Sequence, residues 1–349
     1  MKKIIHRLTH WEAWPFNLIY APLAPFWLYY MLRSRSVWFF TPSNPKITFG
    51  GLEGETKKEM YNLLPAHLYP ATFSVMPKAP FFTVVEQMQQ KQIQFPCVVK
   101  PEVGGQGILF RKIDSLEQLE AYHQQVPVEY MVQAMVQYPM EVSVFYIRHP
   151  KEQKGRITGF LHKIPMRVIG DGVQSLEQLI LQHPKAAKRT NELFAKHQSL
   201  LQQVIPSGET YVLSYAGNHN RGAHFVDLKD HINESLLDVF DTLSHSIDDF
   251  FYGRYDIMCN SIEALQQGKE FMILEYNGCG AEPNHIYDTG YSLRSAHREI
   301  LLHWKSLYEI SRFNALQGHQ PWPFWKGLSF LRATRKIFKE MRAKDQSID

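Results

Sequence analysis

The sequence predicts an α+β fold, in two or three lobes within one body, on three observations. Its 349 residues exceed an average single domain. Apolar residues make up 44% of the chain and charged residues 21%, which is enough for a buried core and unlike a disordered chain. Short β-patterned runs alternate with capped helical runs through the middle of the chain, and the strands read as antiparallel neighbours joined by turns.

Residues 1–40 stand apart. Between Ala13 and Leu32 no charge occurs; Lys2, Lys3 and Arg7 precede this stretch, and Arg33 and Arg35 follow it. The length allows a membrane span. Pro15, Pro22 and Pro25 argue against one straight helix, and the Trp and Tyr content favours a membrane–water interface. Three readings stay open: an N-terminal hairpin buried on the main body, attachment at an interface and, disfavoured by the prolines, a full span.

The next elements follow in order. PCVVK (96–100) and GILFRKI (107–113) read as strands around the glycine turn GGQG (104–107). Residues 115–125 read as a helix capped by Ser115, 130–136 and 141–148 as strands, and 175–183 as a helix capped by Ser175. A long helix is expected over 234–250. GRYDIMCN (253–260) and EFMILEYN (270–277) form a strand pair around a polar turn, and 292–312 is helical. From Trp322 to Lys344 a helix places Phe324, Leu328, Leu331, Phe338 and Met341 on one face and Arg332, Lys336 and Lys339 on another. Such a helix either docks on a core or lies on an anionic lipid surface.

Bulk features exclude several classes. A net charge of +4 is too small to indicate nucleic acid. Cys97, Cys259 and Cys279 lack CxxC spacing, so neither a disulfide framework nor a structural zinc site is expected; reduced thiols in a cytoplasmic protein fit them. GGQG is neither a P-loop nor a dinucleotide fingerprint, because no Gly-Lys-Ser/Thr closes it and no helix follows at once. No Ser/His/Asp or Cys/His arrangement appears.

Two groups of residues carry chemistry. Gly104, Gly105 and Gly107 form a turn whose N–H groups can close over phosphates, and Lys100 ends the preceding strand as a point charge. Downstream, Gln133 with the backbone through Met135 and Val136 offers an adenine edge, and Glu141 a carboxylate for ribose hydroxyls. The second group is Asp256, Glu275 and Asn277. Residues two apart on a strand face one side, so Glu275 and Asn277 point together and Asp256 on the partner strand can face them. This hard-oxygen cluster suits magnesium, and Arg254 shares its side.

In order and spacing these pieces resemble the ATP-grasp superfamily, in its D-alanine–D-alanine ligase-like branch of carboxylate–amine ligases. Lys57, the lysine of FPCVVKP, GGQG, QAMV with Glu141, GRYDIM and LEYNGCGAEP carry the likeness from about Thr56 to Ile300. VIGDGVQSLEQLI (168–180) is similar to a segment of the cyanophycin and glutathione synthetase-like branch. The resemblance implies an ATP-grasp fold, two α+β lobes gripping ATP. It divides the chain into an aromatic segment (1–40), a reduced leading region (41–80), a small lobe with the glycine flap (81–150), a large lobe with the metal site (151–312) and the basic helix (313–349).

It further implies that Lys57 and Lys100 contact phosphates and adenine, that the three glycines cover the phosphates, and that Asp256, Glu275 and Asn277 hold two magnesium ions, with manganese able to substitute. Arg254 would stabilise the tetrahedral intermediate formed when an amine attacks an acyl phosphate. Lys163 and Arg167 are candidates for a phosphate or substrate carboxylate. GCGAEPNHIYD (278–288) stands where D-alanine would be held, so the substrate is expected to be another carboxylate and amine; Glu282, His285, Asn220 and Arg221 are candidate contacts. Competing readings are a silent nucleotide-binding protein at a membrane and a phosphotransferase that stops at phosphorylation. The expected location is cytoplasmic, with peripheral attachment at the inner membrane face through both termini as the alternative.

Overall fold

The computed structural model describes residues 11–345 except 106, 216, 218, 248 and 249; for Ala13 and Asn220 it describes the backbone only. Its strands are β1 (Thr72–Val75), β2 (Cys97–Pro101), β3 (Arg111–Ile113), β4 (Tyr130–Ala134), β5 (Met140–Ile147), β6 (Arg156–Ile164), β7 (Met166–Ile169), β8 (Thr210–Ser214), β9 (His224–Asp227), β10 (Tyr252–Cys259) and β11 (Phe271–Asn277). The chain is α+β and forms two compact units. The first comprises residues up to Pro70, Val136–His162 and Phe225–Arg335; the second comprises Ala71–Met135, Lys163–His224 and the chain from Lys336. The units thus interleave in sequence, whereas the expected lobes were contiguous blocks.

The first unit is built on a five-stranded sheet in the order β11-β10-β5-β6-β9. One face of β10 and β11 is an aromatic core in which Tyr255, Tyr276, Phe240 and Phe250 meet at centroid distances of 5.0–5.8 Å. Phe240 comes from helix Glu234–Ser246, which Asn233 caps by accepting a hydrogen bond from the Leu236 N–H. That helix ends short of the expected residue 250. The polar turn between β10 and β11 contains its own short helix, Ile262–Gln266, capped by Ser261.

The N-terminal segment belongs to this unit as a folded part. Trp27, Tyr30 and Met31 pack on a core of Phe39, Phe40, Phe49, Phe145 and Leu307. The Trp11 indole N–H donates to the Tyr291 carbonyl at 2.8 Å, and His297 Nε2 meets the Ile19 carbonyl at 2.9 Å. No helix among the described residues is long and apolar enough to cross a membrane. Buried Asn44 ties the following segment to β10: its amide donates to the Tyr252 carbonyl, and its oxygen accepts from Phe251 and Tyr252 N–H groups.

The second unit holds a four-stranded sheet, β1-β4-β2-β3, and the β7-β8 pair. The expected strand 107–113 is corrected to Arg111–Ile113. Residues 107–109 turn instead, with Leu109 at φ 54° and its carbonyl accepting from the Tyr122 hydroxyl at 2.9 Å. The C-terminal helix is Phe324–Lys344. Its apolar face is docked: Phe330 and Leu331 pack in the first unit's core, and Ile337, Phe338 and Met341 in the second's. Phe324 and Trp325, at the start of the helix, stay exposed. All three cysteines are buried and free.

Candidate functional site

The pairing of β10 with β11 sets the site. Arg254 lies opposite Asn277 and Asp256 opposite Glu275, so all four side chains leave one face of the antiparallel pair. A bulge after Asp256 ends this regular register. On the other side of β10, Ser143 pairs with Asp256 and Glu141 with Met258, which extends the same face onto β5.

The polypeptide after β11 folds back over this face. Gly51, at φ 75°, crosses Gly278 so closely that a Cβ on Gly51 would lie 2.7 Å from the Gly278 Cα. Two hydrogen bonds lock the crossing, from Cys279 N–H to the Gly50 carbonyl and from Gly280 N–H to the Gly51 carbonyl. Further on, Asn284 donates to Ser143 Oγ at 3.1 Å.

Each carboxylate of the cluster faces a cation. Arg254 donates to both oxygens of Asp256, Nε to Oδ1 and Nη2 to Oδ2, each at 3.2 Å, and its Nη1 donates to the Glu282 carbonyl. Burial works against the guanidinium charge, but the adjacent Asp256 outweighs it and holds the Arg254 pKa above its ordinary value. Lys57 Nζ lies 3.5 Å from Glu275 Oε1. Lys57 opens the helix Lys57–Leu63, whose cap is Thr56. A cation at that end opposes the helix dipole, so Glu275 rather than the helix holds it there.

The donor set fits magnesium. Two opposed carboxylates and the oxygen of an amide are hard-oxygen ligands. One neighbour was missed in the sequence. Glu55 has a buried Oε2 without a partner, and burial pushes its carboxyl up to about 7, with Glu275 adding to the rise and Lys57 opposing it. A carboxyl poised near neutrality can take or give a proton.

The other predicted residues divide between the units. Glu141 and Val136 belong to the first unit, while Lys100, Gly104, Gly105, Gly107, Gln133, Met135, Lys163, Arg167 and Arg221 belong to the second. Lys100, Gln133 and Lys163 are buried. Gln133 sits between Thr72 and Val98 in the sheet. The loop around Gly105 is open, with space for a side chain there. Arg167 is exposed on β7. Arg221 is ion-paired with Glu192 at 2.8 Å and Asp345 at 3.2 Å. The side chain of Asn220 lies outside the described residues. Glu282 accepts from Tyr20 at 2.7 Å and Tyr287 at 2.5 Å, and burial together with Glu282 drives both phenol pKa values far up. His285 is 4% exposed and faces Glu299 and His303.

No family model matches the chain. A curated relative, the glutathione biosynthesis bifunctional protein GshAB of Clostridium perfringens (strain 13 / Type A), is 27% identical over 161 residues, covering 42% of this chain and 21% of the relative. Among solved structures, a bifunctional glutathione synthetase from Pasteurella multocida is 17% identical, with 71% of this chain and 36% of that one covered and a TM-score of 0.38. A D-alanine–D-alanine ligase from Bacillus anthracis is 13% identical, covering 75% and 68%, with a TM-score of 0.41. VanG D-Ala:D-Ser ligase from Enterococcus faecalis is 11% identical, covering 72% and 61%, with a TM-score of 0.40. The chain spans about a fifth of the curated relative and about a third of the first structure.

Proposed function

We propose that the chain is an ATP-grasp enzyme, an ADP-forming carboxylate–amine ligase that works through an acyl phosphate and uses a substrate other than D-alanine. The observation that carries this reading is Asp256 opposite Glu275 on one sheet face, with Asn277 and Arg254 beside them and a cation on each carboxylate. Asp256, Glu275 and Asn277 would hold magnesium, which when bound supplies charge neutralisation for phosphoryl transfer.

Arg254 is placed to stabilise negative charge that develops beside Asp256. Lys57 compensates Glu275. Lys100, with Gly104, Gly105 and Gly107, is the proposed phosphate cover. Gln133, Met135, Val136 and Glu141 are proposed for adenine and ribose, and Lys163 and Arg167 for phosphate or a substrate carboxylate. The match to a protein named for glutathione biosynthesis is in keeping with this class.

The test is release of ADP and phosphate with ATP and magnesium against a panel of carboxylates, with and without amines. Release that needs both substrates is expected, and Asp256→Asn or Glu275→Gln should lower kcat about 100-fold or more. Release with a carboxylate or alcohol alone, giving a stable phosphorylated product, would replace the ligase with a phosphotransferase. No turnover with any pair, despite ATP binding, would favour the silent nucleotide-binding protein.

A second reading, membrane-surface attachment of the same protein, draws on the N-terminal helices. On helix Ala24–Ser34, Trp27, Tyr30 and Met31 face the core, while Phe26, Leu28, Tyr29 and Leu32 are 48–69% exposed. Phe16 and Leu18 on the preceding helix are exposed too, and Arg33 and Arg35 follow. Beside them is an open groove of about 490 Å³ lined by Tyr29, Arg33, Lys151, Arg312 and the Lys305–Glu309 pair. Apolar side chains next to a cationic pocket suit an anionic lipid surface.

A further inference from the structure

We propose that His285, Glu299 and His303 form a binding site for one divalent transition-metal ion of the zinc class, separate from the carboxylates of β10 and β11. The inference is independent of the ligase reading. Glu299 and His303 lie four apart on helix Leu293–Leu316 and so share a face. His285 comes from the turn Asn284–Ile286. His285 and His303 are 4% and 1% exposed, and the Glu299 side chain is 21% exposed.

The spacing is that of a metal shell. One oxygen, Glu299 Oε1, lies 3.3 Å from His285 Nε2 and 3.2 Å from His303 Nε2, and all three ligand atoms lie within 4.8 Å of one another. His285 Nε2 and Glu299 Oε1 meet hydrogen-bond geometry, but 3.3 Å is long for a charge-assisted bond, which is about 2.7–2.9 Å. His303 Nε2 makes no acceptable hydrogen bond, although it is buried. Ligands about 2.0–2.1 Å from a tetrahedral ion stand roughly 3.3–3.4 Å apart, which matches both separations.

The surroundings fix the His303 imidazole by a hydrogen bond and the His285 ring by packing alone, its Nδ1 being buried with no hydrogen-bond partner among the described residues. His303 Nδ1 faces the Tyr252 hydroxyl at 3.4 Å. With a proton on Nδ1 donated to that oxygen, the Nε2 lone pair points at Glu299. Two lone pairs of one cluster facing each other repel unless a proton or a cation lies between them. His285 is seated on Gly159 of β6, where a Cβ would come within 2.2 Å of its Nδ1, so only glycine leaves room for the ring. Two imidazole nitrogens with one carboxylate favour zinc and its first-row neighbours over magnesium. Three protein ligands with a partly exposed carboxylate leave a fourth position for water or an added ligand.

The test uses the full chain, stripped with EDTA and titrated with Zn²⁺, with Co²⁺ as the optical probe. One Zn²⁺ per chain and the visible bands of four-coordinate Co²⁺ are expected. Zn²⁺ affinity should fall 100-fold or more in Glu299→Gln and in His303→Asn, roughly 10-fold in Gly159→Ala, and stay near wild type in Asp256→Asn. Absence of stoichiometric zinc, or loss in Asp256→Asn with Glu299→Gln unchanged, overturns the site. X-ray absorption on the wild-type zinc form decides the matter if the variants do not fold. Two imidazoles at about 2.0 Å support the site, and one or none refutes it.

Discussion

At the scale of single residues, the ion pairs in the carboxylate cluster set how the site behaves before any ligand arrives. Arg254 and Asp256 are 17% and 10% exposed, so the bidentate pair between them is shielded from solvent. Removing one partner of such a pair leaves an uncompensated buried charge, at a cost of about 3–5 kcal/mol. Asp256→Asn is therefore expected to destabilise the protein by about 3 kcal/mol in urea unfolding without divalent ions, and the double variant Asp256→Asn/Arg254→Met should recover part of that. A loss under about 1 kcal/mol would mean that the pair behaves like an exposed one. At this scale the sequence was most informative. Two-residue spacing on one strand and a facing partner were enough to bring Asp256, Glu275 and Asn277 together, and the observed register agrees. Glu55 was invisible by the same means. Its raised pKa comes from burial, with Glu275 contributing across a large sequence separation that no local period reveals. His285 was legible as a chemical residue but not in its direction, because Glu299 and His303 come from a helix read only for its length.

At the scale of elements, caps and alternation were readable, while segments set by distant contacts were not. Ser115 and Ser175 cap the helices expected of them, and Ser175 forms a full capping box with Gln178. The flap strand failed from 107 to 109 because partners far along the chain hold it: Tyr122 takes the Leu109 carbonyl, and Asp345 accepts from the Leu109 N–H at 2.8 Å. The pair β7 and β8 carries a consequence for pH. His197 is buried beside β8, with Nε2 at 3.1 Å from the Leu213 carbonyl and Nδ1 at 3.0 Å from the Tyr211 hydroxyl. The Nε2–H donates, so in the neutral ring Nδ1 accepts from the phenol, and a proton on Nδ1 would reverse that bond and bury a charge. Burial lowers the His197 pKa below its ordinary 6.5. The unfolded chain therefore binds the proton first, and the stability due to neutral His197 is present above about pH 6.5 and lost as pH falls through the folded pKa. The urea midpoint should drop between about pH 7.5 and 5.5, and His197→Gln should flatten that slope. An unchanged slope in the variant would remove His197 as its source.

At the scale of the whole molecule, what could not be read was the division of the chain. Composition does not change where the polypeptide passes between units, because each unit closes its core with segments far apart in sequence. Phe39, Phe145 and Leu307 meet in one core, and Val75, Tyr130 and Met341 in the other. The N-terminal segment shows how a composition can be legible and its placement not. Its aromatic, charge-free character suggested burial or an interface, and the structure gives it an inner and an outer side. The inner side, Trp27, Tyr30 and Met31, is occupied by the core, so the proposed lipid contact would use the outer side. Most of the apolar face of the C-terminal helix is docked, with Phe324 and Trp325 left exposed at its start. Attachment should then depend on Phe26, Leu28 and Leu32 with Arg33, and not on the docked C-terminal apolar positions. In flotation with vesicles containing a third anionic lipid, the full chain should rise with the vesicles, and Leu28→Ser/Leu32→Ser should cut the bound fraction several-fold. Arg33→Gln should weaken binding in proportion to the anionic lipid content and leave neutral vesicles unaffected, and added salt should mimic it, because surface attraction to basic residues is screened within a Debye length. Binding that survives both substitutions, or full-length protein that stays at the bottom of the gradient, would assign the outer apolar side to another role.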